Sequence, residues 1–95
     1  MIIETAYQLG DTVTIKTVGG EEIVGKLLES SFESHKLSKP MKVVVTQQGI
    51  GLAPLAFTIH PDSKVEIKKT AVLFIAKTDS EMAKQYIASS TGIIV

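Results

Sequence analysis

Cysteine is absent from this 95-residue chain. That excludes disulfide staples, thiolate metal sites and cysteine nucleophiles. Arginine is absent too, and all ten cationic side chains are lysine, so no planar guanidinium is present to grip a phosphate with two parallel hydrogen bonds. No apolar run approaches the ~18 residues that cross a bilayer as a helix, and no membrane partner is expected. The start, Met1-Ile2-Ile3-Glu4, lacks the basic flank and long apolar stretch of a secretory signal. The expectation is a soluble, cytoplasmic single domain over residues 1–95. Ten lysines balance ten carboxylates, which excludes a strongly basic nucleic-acid coat. The hydrophobic share of 44% and the mean hydropathy of +0.25 exclude a disordered chain.

What charge there is lies unevenly. Residues 1–34 hold two lysines against six acids, a balance of −4, and residues 35–69 hold six lysines against two acids, a balance of +4. Such a split gives one acidic and one basic face, or ordinary surface scatter where the segments interleave.

The hydrophobic pattern is that of short strands. Residues 12–17 alternate and are rich in β-branched side chains, and a turn over 18–21 leads to a partner strand over 22–29. Gly25 inside that strand marks a bend or a close backbone approach. Residues 30–39 are polar and read as a loop. A third strand covers 41–47, its start limited by Pro40. Turn chemistry follows over 48–51, then an apolar stretch, Leu52 to Ile59, broken by Pro54, and a turn over 60–63. A fourth strand alternates over 64–68. Residues 72–76 are apolar throughout and predict a fifth strand with both faces covered. Thr78-Asp79-Ser80-Glu81 has the form of a capping box, with a threonine or serine cap and Glu81 reaching back. Met82 with Tyr86, and Ala83 with Ile87, share one helix face, which predicts a helix over about 79–89. An apolar tail, Ile93-Ile94-Val95, follows Gly92. The domain has more apolar elements than one helix can cover, which points to self-association.

Two stretches resemble known motifs. Gly20-Glu21-Glu22-Ile23-Val24-Gly25-Lys26-Leu27 looks like the first Sm motif, a strand–turn–strand reading G-x-x-x-x-G-x-L. Ile67-Lys68-Lys69-Thr70-Ala71-Val72-Leu73-Phe74-Ile75 resembles the second, with Lys68 and Lys69 where the family carries Arg and Gly, and is similar to the bacterial Hfq variant. The resemblance covers about residues 12–76. The insert over 51–57 and the C-terminal helix look more like the divergent Sm-like proteins of cyanophages and marine metagenomes; a phage protein would reside in the bacterial host cell. The resemblance implies a mainly β fold: a strongly bent, five-stranded, SH3-like antiparallel barrel with a C-terminal helix. It also implies a closed homo-oligomeric ring of roughly five to seven subunits, the fourth strand of one pairing with the fifth of the next. The candidate interface is Val65, Ile67, Val72, Leu73, Phe74 and Ile75. The uridine-binding loop of the family falls on Ser31, Glu33 and His35, where the carboxylate of Glu33 can neither stack on a base nor tolerate phosphate. Met1 to Leu9 reads as a short strand or arm rather than the family's N-terminal helix.

Two functional classes remain open. One is RNA binding without a chemical step. Its candidate residues are Lys68 and Lys69 at the family's pore position, His35 to stack on a base or bond to its edge, and Phe32, the best exposed stacking candidate. The other is a structural ring that binds protein partners through Leu52–Phe57 and the helix. No cofactor is expected. Catalysis lacks a constellation: Ser34-His35 have no acid partner, His60, Asp62 and Ser63 read as turn residues around Pro61, and Glu21 and Glu22 fall on opposite faces of a strand. His35 and His60 alone, read as two surface histidines, make no metal site. Phe57 reads as a plug within its loop, Phe74 as core or interface, and Tyr86 as the buried face of the helix.

Overall fold

The computed structural model describes residues 7–90. The readings for Met1–Ala6 and for the Ile93–Val95 tail lie outside those residues. Strands make up most of the fold: β1 (Thr12–Thr17), β2 (Glu22–Ser30), β3 (Ser34–Thr46), β4 (Gly49–Pro54), β5 (Lys64–Lys68) and β6 (Val72–Lys77), followed by one helix, α1 (Ser80–Ser90). They form a single antiparallel sheet in the order β4-β3-β2-β1-β6, with β5 also paired to β3.

Alternation sets the core. Val13 and Ile15 of β1, Ile23 and Leu27 of β2 and Leu37 of β3 are buried together, with Tyr7, Leu55, Ile67, Val72 and Ile75 packed around them. The same pleat turns Thr14 and its partner Val24 to the opposite side.

The third strand differs most from the sequence reading. Residues 34–39 form strand rather than loop, and the chain runs straight through Pro40. A bulge makes this possible. Val24 pairs with Met41 and Lys26 with Ser38, so Gly25 alone faces both Lys39 and Pro40. Lys39 takes a left-handed φ of 49° there, and a bulge is where a proline, lacking its N–H, can sit within a sheet. Gly25 fits because a Cβ on it would lie 3.1 Å from two atoms of Leu37 and 3.4 Å from the Pro40 Cα. Beyond the bulge β3 changes its outer neighbour. Ser34–Ser38 pair with β5 and Met41–Thr46 pair with β4. The stretch after residue 48, read as turn and broken apolar segment, supplies that extra strand, so the sheet has six strands rather than five. The turn shrinks to Gln47-Gln48, followed by Gly49 at a φ of 118°.

The sheet is strongly curled, and chain length dictates it. In the order β5-β3-β2-β1-β6 a flat sheet would hold its outer strands ~19 Å apart, four spacings of ~4.8 Å. Those outer strands are joined by the 3-10 turn Lys69–Ala71 alone, which spans ~6 Å at ~2 Å per residue. The turn is pinned to both neighbouring hairpins: the Lys69 N–H donates to the Glu33 carbonyl at 2.8 Å and the Val18 N–H to the Ala71 carbonyl at 2.9 Å.

The helix starts one residue later than the capping box predicts. Asp79 is the cap, its Oδ2 accepting from the Glu81 N–H at 3.2 Å. Thr78 is buried instead, its hydroxyl 2.8 Å from that of Thr14 and its N–H donating to the Thr12 carbonyl. The register of β1 and β6 thus fixes Thr78 inside before the helix begins. On α1 Tyr86 is buried, as its spacing predicts, while Ile87 remains exposed. Among the described residues, no helix is long and apolar enough to cross a membrane.

Candidate nucleic-acid interface

The loop between β2 and β3 shrinks to residues 31–33. Ser31 organises it: its N–H donates to the Ser34 carbonyl at 2.8 Å, and its hydroxyl accepts from the N–H groups of Glu33 and Ser34. This local turn leaves Phe32 at the tip with 96% of its surface exposed. The hydrogen bond from Lys69 to the Glu33 carbonyl then brings the end of β5 against the same loop. Phe32, Lys68 and Lys69 therefore lie at one end of the sheet, all exposed, although 36 residues separate Phe32 from Lys68 in sequence. Glu33, also exposed, sets a carboxylate among them.

His35 is part of the same end but not of its surface. It lies in β3, paired with Ser30 on one side and Ile67 on the other, and is 3% exposed. Its Nδ1 is 2.8 Å from the Ser30 hydroxyl, and the ring of Tyr7 meets it edge-on at 6.4 Å. Burial, reinforced by the positive charge of Lys69, holds its pKa below the ordinary histidine value. The expected base-contacting loop histidine is thus a core residue behind the site. Its neighbour Ser34 donates to the Glu66 carboxylate at 3.1 Å. His60, the other expected surface histidine, is exposed, and its Nδ1 accepts from the Asp62 N–H at 3.1 Å, as its turn reading requires.

The candidate interface residues divide. Ile67, Val72 and Ile75 pack on the chain's own core, and Val65 is half-buried. Leu73 and Phe74 face outward, 65% and 51% exposed. A bulge explains the pair. Lys16 pairs with Phe74 and Thr17 with Val72, so Leu73 is the extra residue and breaks the alternation. The expectation that both faces of this strand are covered fails within the single chain. Among the described pairings, β4 and β5 each join only β3 and β6 joins only β1, so each of the three keeps one open edge. Phe57 is no plug: it is 93% exposed on the loop after β4.

Among the described residues, no group of three or more His, Asp and Glu side chains could hold a metal ion. No known protein-family model matches the chain, and no curated protein does.

Proposed function

We propose that this chain is the subunit of a homo-oligomeric, Sm-like ring that binds single-stranded RNA without a chemical step. The observation that carries the reading is that β5 and β6, joined by a three-residue turn that curls the sheet, each keep an open edge. An open edge is a template for another strand. An edge-to-edge contact between different strands of successive copies closes into a ring when the rotation permits, here of roughly five to seven subunits. Leu73 and Phe74 supply apolar surface beside one edge. The exposed group of Phe32, Lys68 and Lys69 supports the RNA part: an aromatic face for a base next to cations for the backbone. Repetition around an axis multiplies a weak single site.

A second reading, a ring that binds protein partners, is favoured by two observations. Glu33 sets a negative charge among the lysines, and Phe57 stands in solvent on the separate loop after β4. Sedimentation of the purified protein, with and without oligo-U or oligo-A across a salt series, separates the two. The RNA reading expects an oligomer whose RNA binding weakens steeply with salt. A monomer at micromolar concentration overturns the ring. An oligomer that ignores RNA at low salt leaves the protein-binding ring.

A further inference from the structure

At the end of the fold remote from Phe32, the β3 bulge, the end of β4 and the loop after it enclose an open groove of about 210 Å³. Its walls are mainly apolar, formed by Pro40, Met41, Pro54, Leu55 and Ile59, with Ser89 of α1 at one side. The helix leads to it. Tyr86 is anchored at the carbonyls of Ser38 and Lys39, and one turn later Ser89 forms part of the wall. The C-terminal end of α1 therefore lies at the rim.

We propose that this groove is the docking site of the chain's own segment Thr91-Gly92-Ile93-Ile94-Val95. Five residues reach up to ~17 Å when extended. Glycine, the residue type at position 92, is the one that most readily permits the left-handed conformation with which a chain reverses after a helix. Three consecutive β-branched aliphatic residues follow, which match the lining in chemistry. An enclosed aliphatic cavity of about 150 Å³ holds a benzene ring, so a groove of about 210 Å³ has room for one or two of these side chains. Docking completes the core around the bulge and ties the helix to the β3–β4 hairpin. This role is independent of what the lysine end binds.

Absence of cysteine makes the test clean. The doubly substituted full chain Ala56→Cys/Ile94→Cys places one thiol on the groove wall and one on the segment. A disulfide forms readily only where the Cα atoms come within ~7 Å. The control pair is Gln48→Cys/Ile94→Cys, with the first thiol at the far turn of the hairpin. Mixing isotopically labelled and unlabelled chains before oxidation distinguishes links within one chain from links between two. The proposal expects an intrachain link that forms faster than in the control. It also expects amide exchange over residues 55–59 to speed up about tenfold when residues 91–95 are deleted, the factor for losing one buried aliphatic side chain. A mainly interchain link makes a second copy the occupant and overturns the proposal. So does linking no faster than the control, or unchanged exchange after deletion.

Discussion

The hydroxyl of Tyr86 lies 2.9 Å from the carbonyl oxygen of Lys39, and equally 2.9 Å from that of Ser38. One helix side chain thus serves the backbone at the point where β3 bulges and exchanges neighbours. The Lys39 N–H is taken by the Ser63 carbonyl at 3.2 Å, so the irregular stretch is held from two elements. Tyr86→Phe keeps the packing and removes the donor. It should cost about 1 kcal/mol, and a shift of that size lowers Tm by ~4–8 °C in a domain this small. A thermal melt checks it.

Gly25→Ala should destabilise by about 1–3 kcal/mol, because the new methyl crowds the fully buried Leu37 and the Pro40 backbone rather than a flexible chain end. Urea midpoints measure the loss. Combined with Leu37→Ala, which removes the Cδ1 in the way, the loss should be smaller than the sum of the two single changes.

Asp79→Ala should cost about 1 kcal/mol through loss of the helix cap. Thr78→Ala should also destabilise, by about 0.5–1.5 kcal/mol, through the hydrogen bond to Thr14. Double mutants separate the two. Thr78→Ala combined with Thr14→Ala should fall short of additivity, and by more than Thr78→Ala combined with Asp79→Ala, which removes no shared hydrogen bond.

Stability should fall in mild acid because of His35. Its folded-state pKa is lowered, first by burial and then by Lys69, so the unfolded chain binds the proton more readily. The contribution is whole above the ordinary value of 6.5 and is lost as pH falls from there through the lowered value. Denaturation midpoints across this range should drop in wild type and vary less in His35→Asn, whatever that variant's starting stability.

On the proposed ring, Leu73→Asp or Phe74→Asp should yield a folded chain of lower oligomeric state, since these side chains are exposed in the single chain and the proposed contact would bury the new charge. Sedimentation with circular dichroism checks both parts.

On the proposed RNA-binding reading, Lys68→Ala/Lys69→Ala should weaken oligo-U and oligo-A binding and flatten its salt dependence, because fewer counterions are released. Glu33→Lys should strengthen binding. Anisotropy across a salt series reads both.

The amino-acid sequence by itself determined the strands whose residues alternate. The strands over 12–17 and 64–68 follow from period-two alternation, the strand over 22–29 from the turn that precedes it, and the helix over about 79–89 from its spacing and a cap. It also marked Gly25 as a close approach and Phe32 as an exposed aromatic. Local pattern could not reveal that Ser34–Lys39 is strand, because its polar residues are satisfied by partners distant in sequence: Ser34 by Glu66, and Lys39 by Ser63 and Tyr86. The same reason hid His35, a polar residue whose burial depends on Tyr7, Ser30 and the neighbouring β5. Only the tertiary structure decided which of the apolar residues over 72–76 turn inward, because the bulge at Leu73 breaks the alternation where β6 meets β1. The gathering of Phe32, Lys68 and Lys69 likewise required the fold. The three-residue turn between the outer strands curls the sheet, and the Lys69–Glu33 hydrogen bond draws that turn against the loop that carries Phe32.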